Sequence, residues 1–215
     1  MNFFAQFHSS GVIPVIEIDD SKHILPLVEA LSAGGLALAE ITLRTPAALE
    51  AIRRLAREKG DFLVGAGTIL NQPQAQAAVD AGAKFLVSPG LPEDATLWAQ
   101  KNSIPILPGA ITPNEIMRAI NLGINIIKFF PSETMGGLKA IKAMSDPFPG
   151  IKFIPTGGIR PDNLSEYLQN DKIQAVGGSW MCKRAMIAAE QFTEIEALAR
   201  QAAQIVKNIR HQENL

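Results

Sequence analysis

The chain has 215 residues, 47% hydrophobic and 19% charged, enough for one domain with a substantial core and no disordered block. Its formal net charge of -1 argues against a nucleic-acid or anionic-membrane partner. No apolar run is long enough to span a bilayer, and the lone Cys182 excludes an internal disulfide or a cysteine-based zinc site.

In chain order, residues 1–10 lack the basic start and long apolar stretch of a signal peptide. They read as a short N-terminal helical segment, and with one cysteine the expected compartment is the cytoplasm. The first strand is predicted over 12–18. It carries Glu17, whose alternation with Val15 and Asp19 leaves its direction open. The spacing Ile24-Leu27-Val28-Leu31 predicts a surface helix that starts near His23 and ends at Gly34-Gly35, as glycine C-caps do.

The second strand, 36–43, should point Glu40, Thr42 and Arg44 one way, with Ile41 and Leu43 toward helices. Glu40 could move protons and Arg44 could hold a carboxylate. A simple internal Glu–Arg ion pair is the alternative. After the Ala48-Ile52-Leu55 helix, a third strand over 62–66 runs into Gly65-Ala66-Gly67-Thr68. Small residues there open space for a ligand. Thr68 can hydrogen-bond a carboxylate or hydroxyl, or cap a helix. Gly82-Ala83 closes the next helix, and strands follow over 85–88 and 104–107.

The sixth strand, 126–130, ends at Pro131 and places Lys128 among Ile126, Ile127, Phe129 and Phe130. Burial disfavours an ammonium ion. A free amine in a dry pocket attacks carbonyls to form a Schiff base. The alternatives are a lysine that snorkels to the strand end or pairs with a buried acid. Lys84 and Lys152 precede Phe85 and Phe153, at strand starts. Lys128 alone is placed toward a strand's C-terminal end, where barrel enzymes carry their chemistry.

The seventh strand, 153–156, leads into Gly157-Gly158, and the eighth, 174–176, into Gly177-Gly178-Ser179. Loops after strands seven and eight are the frequent phosphate site of barrels. Converging N–H groups and a helix N-terminus favour an anion. Two ordinary turns are the alternative. His8, His23 and His211 follow no apolar strand, so a metal held by histidines is not expected. Eight strands alternating with helices predict a single-domain (β/α)8 TIM barrel over 1–215. The competing doubly wound sheet needs a glycine fingerprint where this chain has Asp19-Asp20-Ser21-Lys22.

The motifs Glu40-Ile41-Thr42-Leu43-Arg44-Thr45, Gly65-Ala66-Gly67-Thr68, Ser88-Pro89-Gly90, Lys128-Phe129-Phe130-Pro131, Pro155-Thr156-Gly157-Gly158-Ile159 and Gly177-Gly178-Ser179-Trp180 resemble those of the bacterial class I 2-keto-3-deoxy-6-phosphogluconate aldolases, also described as 4-hydroxy-2-oxoglutarate aldolases. The resemblance runs through nearly the whole chain. It implies a homotrimeric TIM-barrel lyase of the Entner–Doudoroff route, cleaving a small phosphorylated keto acid to pyruvate and glyceraldehyde 3-phosphate. No separate cofactor or metal is implied, because the substrate is held as an imine on Lys128. Glu40 resembles the general acid/base, and Arg44, Thr68 and Pro89 the keto-acid contacts. Thr156 falls where the family places a threonine affecting stereochemistry. Gly157, Gly158, Gly178 and Ser179 resemble the phosphate contacts.

The loop Pro108-Gly109-Ala110-Ile111-Thr112-Pro113 departs from the family's form, which bears on substrate-tail contacts. One alternative is a related aldolase for the phosphogalactonate analogue or for unphosphorylated 4-hydroxy-2-oxoglutarate. Another is a non-catalytic phosphate-ligand-binding barrel, which leaves the inward Glu40, Arg44 and Lys128 without purpose.

Overall fold

Helices and parallel strands alternate through the computed structural model, which describes residues 3–212. The order begins α1 (Phe3–Ser10), β1 (Val12–Ile16), α2 (Ile24–Ala33), β2 (Leu38–Thr42), α3 (Ala48–Glu58) and β3 (Leu63–Gly67). It continues with α4 (Gln72–Asp80), β4 (Phe85–Val87), α5 (Glu93–Lys101), β5 (Ile106–Leu107), α6 (Pro113–Asn121) and β6 (Ile126–Phe129). It closes with α7 (Gly137–Ser145), β7 (Lys152–Pro155), α8 (Pro161–Leu168), β8 (Val176–Gly178), α9 (Arg184–Ala188) and α10 (Phe192–Gln212).

Local chemistry sets the boundaries. Helix α3 buries Ala48, Ala51, Ile52 and Leu55, the stripe expected of three- and four-residue spacing. Helix α6 begins with a capping box: the Thr112 hydroxyl accepts from the Glu115 N–H, and the Glu115 carboxylate accepts from the Thr112 N–H at 3.0 Å. Helix α2 ends as the Gly34-Gly35 pair predicts. Gly35 has φ +93°, its N–H donates to Ser32 O, and the Leu36 N–H reaches back to Leu31 O at 2.9 Å.

Six strands form one curled sheet in the order β5-β4-β3-β2-β1-β8, while β6 pairs with β7. Parallel bridges link the two sheets on both sides, Gly109 to Lys128 and Thr156 to Gly177. The Lys128 N–H donates to Pro108 O at 2.8 Å, and the Ala110 N–H donates to Lys128 O at 3.0 Å. A large apolar cluster lies between strands and helices. A smaller one gathers Ile13, Leu38, Phe85, Val87, Leu107, Ile126, Ile154 and Ala175, with Phe7 of α1 against Phe85 at 5.0 Å between ring centroids. Side chains alternate, so Glu40, Lys128, Thr156 and Gly177 stand on this inner face, two residues beyond Leu38, Ile126, Ile154 and Ala175.

The structure corrects the sequence-based boundaries at both ends of the strand series. The first strand stops at Ile16, so Glu17 lies beyond it. The eighth is 176–178, so Gly177 and Gly178 belong to the strand and pair with Ile13 and Pro14, rather than forming a loop after it. The reason is space. A Cβ on Gly177 would meet Thr156 Oγ1 at 2.3 Å, and one on Gly178 would meet the Trp180 ring at 1.9 Å.

Candidate active site

Strands β2 and β6 bring Glu40 and Lys128 together across 88 residues of chain. Lys128 Nζ lies 3.2 and 3.3 Å from Glu40 Oε1 and Oε2, and the two side chains are only 6% and 4% exposed. Lys128 therefore does not snorkel to solvent. The Phe130 ring covers its ammonium, with the centroid 5.5 Å from Nζ. Gly67, at the end of β3, makes room for the acid: a Cβ there would lie 2.0 Å from Glu40 Oε1. The rival lysines are elsewhere. Lys84 is exposed ahead of β4, and Lys152, first in β7, donates to Asp171 O.

Beyond Glu40 on the same strand, the Thr42 hydroxyl donates to Ile16 O at 2.9 Å and stays buried. Arg44 sits in the following turn, where its Nε donates to Thr68 Oγ1 at 3.3 Å and its Nη1 lies 3.7 Å from Glu17 Oε2. Arg44 thus pairs with Glu17 and not with Glu40. Thr68 holds φ +61°, a left-handed conformation uncommon for threonine. It is not a helix cap, because Asn71 accepts from Gln74 N–H at the start of α4. Glu17 also accepts from Arg184 Nη1 at 2.7 Å, and Arg184 reaches both oxygens of Asp19. Thr42, Glu17, Arg44, Ser179, Lys183 and Arg184 line a cleft of ≈ 260 Å³ at these strand ends.

Gly157 and Gly158 follow β7 with φ +98° and +84°, a turn that non-glycine residues rarely enter. The Thr156–Gly177 bridge sets this turn beside the end of β8, where the Trp180 ring packs on Gly178 and Ser179 is exposed. Pro89 lies in the turn after β4, and its carbonyl backs onto Gly109, where a Cβ would meet it at 2.2 Å. Sequence reasoning missed Gly67 as the space for Glu40, and Arg184 as a partner of Glu17. The basic pair Lys183-Arg184, soon after the eighth strand, was the one local sign of the latter.

The histidines contribute little here. His23 is buried rather than on the surface, and its Nε2 lies 3.2 Å from Glu190 Oε1. The side chain of His211 falls outside the described residues. Among the described residues no group of three or more His, Cys, Asp or Glu gathers as a metal site. No helix among them is long and apolar enough to cross a membrane.

A family model, "Aldolase: KDPG and KHG aldolase", matches residues 5–198. A 2-dehydro-3-deoxy-phosphogluconate aldolase of Pseudoalteromonas atlantica is 44% identical over 196 residues, 91% of each chain. The KDPG aldolase from Legionella pneumophila, solved with pyruvate captured at low pH as a covalent carbinolamine intermediate, superposes with a TM-score of 0.90 at 41% identity. That match covers 93% of this chain and 97% of the other. The Zymomonas mobilis ZM4 enzyme, solved with 3-phosphoglycerate, gives 0.85 at 41% identity over 94% and 96%.

Proposed function

This chain belongs to the KDPG and KHG aldolase family, and from that we propose a class I lyase reaction centred on Lys128 and Glu40. The reaction cleaves 2-keto-3-deoxy-6-phosphogluconate to pyruvate and glyceraldehyde 3-phosphate, with 4-hydroxy-2-oxoglutarate as a second substrate cleaved to pyruvate and glyoxylate. One observation carries the assignment: among the described residues, the one lysine near the C-terminal end of a strand on the inner face lies, buried, within 3.3 Å of both oxygens of a buried glutamate. An amine and a carboxylate so placed can exchange a proton without solvent, in surroundings that strengthen electrostatic interactions.

In this mechanism the free amine of Lys128 adds to the C2 carbonyl, and the oxygen takes up a proton to give a carbinolamine. Protonated Glu40 delivers its proton to the departing hydroxyl, water leaves, and a protonated imine remains. The Glu40 carboxylate, directly or through one water, then removes the C4 hydroxyl proton. The C3–C4 electrons flow to the imine nitrogen, releasing the aldehyde and leaving an enamine. Glu40 returns its proton to the enamine methylene, and hydrolysis frees pyruvate and the amine. The covalent imine is the electron sink, so the scheme calls on no separate cofactor.

Arg44 and Thr68 are read as the clamp on the keto-acid carboxylate, with Pro89 beside them and Thr156 facing the aldol carbon. The strained backbone of Thr68 supports a functional role for its hydroxyl. Gly157, Gly158, Gly178 and Ser179 are read as the phosphate subsite. The inter-sheet bridges support a closed (β/α)8 barrel forming one domain over 1–215. A homotrimer and a place in the Entner–Doudoroff route rest on the resemblance alone, and a cytoplasmic location rests on the single cysteine of the sequence.

Incubation with pyruvate and borohydride, followed by peptide mapping, tests the chemistry. A reduced adduct on Lys128 is expected. No adduct anywhere returns the chain to a phosphate-ligand-binding barrel. Cleavage rates on the phosphogluconate, phosphogalactonate and hydroxyoxoglutarate substrates separate the aldolase readings.

A further inference from the structure

Ser132 and Tyr167 are buried polar residues that the mechanism leaves unused. Ser132 Oγ lies 3.1 Å from the Tyr167 oxygen, and the Tyr167 hydroxyl donates to Glu133 Oε1. A phenol has one proton, and here it goes to Glu133, so the Ser132 hydroxyl donates to the phenolic oxygen. Burial, reinforced by the Glu133 carboxylate, pushes the Tyr167 phenol up to about 12, which keeps it a donor over the whole neutral range.

The same segment grips the glycine turn after β7. The Ser132 N–H donates to Thr156 O at 2.8 Å and the Glu133 N–H to Gly157 O at 3.1 Å. Asn163 Nδ2 donates to Gly158 O at 3.1 Å. Three consecutive carbonyls are thereby held. In a trans peptide the N–H points opposite to its carbonyl, so the N–H groups of Gly157, Gly158 and Ile159 point away from these anchors. Glu133 is also a wedge: a Cβ on Gly158 would meet its Cγ at 2.4 Å and its Cβ at 2.5 Å. A carboxylate one side chain away from an anion subsite repels the anion unless something turns it aside. The Tyr167 hydroxyl holds one oxygen of this carboxylate.

We propose that Tyr167, with Ser132, is a positioning residue that holds the Glu133 carboxylate away from the 156–158 turn and so sets the preference for a phosphorylated substrate. This rests on reading that turn as the phosphate subsite of the aldolase proposed above.

The test compares kcat and KM of the full chain for 2-keto-3-deoxy-6-phosphogluconate and for unphosphorylated 4-hydroxy-2-oxoglutarate. Tyr167→Phe keeps the ring and removes the hydroxyl. The ratio of kcat/KM for the phosphorylated over the unphosphorylated substrate should fall about tenfold, mainly through KM. Adding Glu133→Gln to Tyr167→Phe should restore most of that ratio, because the freed side chain then carries no charge. A parallel loss on both substrates, an unchanged ratio, or no rescue by Glu133→Gln overturns the proposal. Borohydride trapping of the wild-type protein reads the aldolase chemistry independently, so failure of that premise shows up separately.

Discussion

Gly67→Ala tests whether the Glu40–Lys128 contact is the catalytic geometry. The added methyl would sit 2.0 Å from Glu40 Oε1 and 2.6 Å from both Cδ and Cγ. Non-bonded heavy atoms settle near 3.5 Å or beyond, so the carboxyl must move by roughly 1 Å or more. The contacts to Lys128 Nζ are already 3.2 and 3.3 Å, at the long end for a hydrogen bond, and such a shift breaks them. Displacement of this size costs on the order of 100-fold in rate. The backbone of Gly67 is not in the positive-φ region, so alanine there is a steric probe without backbone strain. Overpacking should lower stability by about 1–3 kcal/mol, which leaves the variant folded. Pyruvate release at saturating substrate gives kcat, and urea unfolding gives stability. Gly150→Ala, whose Cβ would meet nothing within 4 Å, serves as the control. If Gly67→Ala keeps kcat within about threefold of wild type in these assays, the proton-transfer role of Glu40 in contact with Lys128 is refuted.

Lys128→Ala should abolish turnover and borohydride trapping. It also leaves the buried Glu40 without its cation, which should cost about 3–5 kcal/mol in urea unfolding; measurable cleavage by this variant would sink the mechanism. Arg44→Ala should raise KM for the keto acid roughly ten- to a hundredfold with little change in kcat, the size of a lost charge-assisted hydrogen bond; an unmoved KM removes Arg44 from the substrate. Burial pushes the Cys182 thiol up to about 12, so the native protein should resist thiol reagents at pH 8 and react once unfolded in urea; rapid native labelling contradicts its placement. The Tyr167 phenol ionises near 10 when unfolded and near 12 when folded. The unfolded state loses its proton first, so stability due to this group is present below pH 10 and is lost as pH rises toward 12. Unfolding curves across that window should therefore decline more steeply for wild type than for Tyr167→Phe, and equal slopes would argue against the shift.

The eight strands were legible because a short apolar run between helical patterns is a local property, written within a few residues of each position. The same locality singled out Lys128, whose neighbours and terminating Pro131 mark a strand end, and excluded Lys84 and Lys152. It failed where a residue's role depends on something distant. The late glycine pair Gly177-Gly178 looks like a loop in sequence, since glycine is the common residue of turns. In the structure it is strand, emptied of side chains so that Thr156 and Trp180 can approach. His23 opens a helix predicted for the surface, yet it is buried and its Nε2 lies 3.2 Å from Glu190, far along the chain.

The sequence by itself determined that Glu40 and Ile41 face opposite ways along the second strand and that Lys128 lies toward the C-terminal end of the sixth, because a two-residue period and a terminating proline decide those within a single element. Only the tertiary structure decided the partners. Glu40 could have paired with Arg44 on its own strand; instead the curled sheets bring it to Lys128 on β6, while Arg44, beyond the end of β2, meets Thr68 and Glu17. Glu17, undecided from alternation, turns to Arg184 because β1 stops at Ile16 and its C-terminal end lies beside the segment that follows β8. Those pairings arise from parallel backbone hydrogen bonds between strands far apart in the chain, and that long-range register has no counterpart in local spacing.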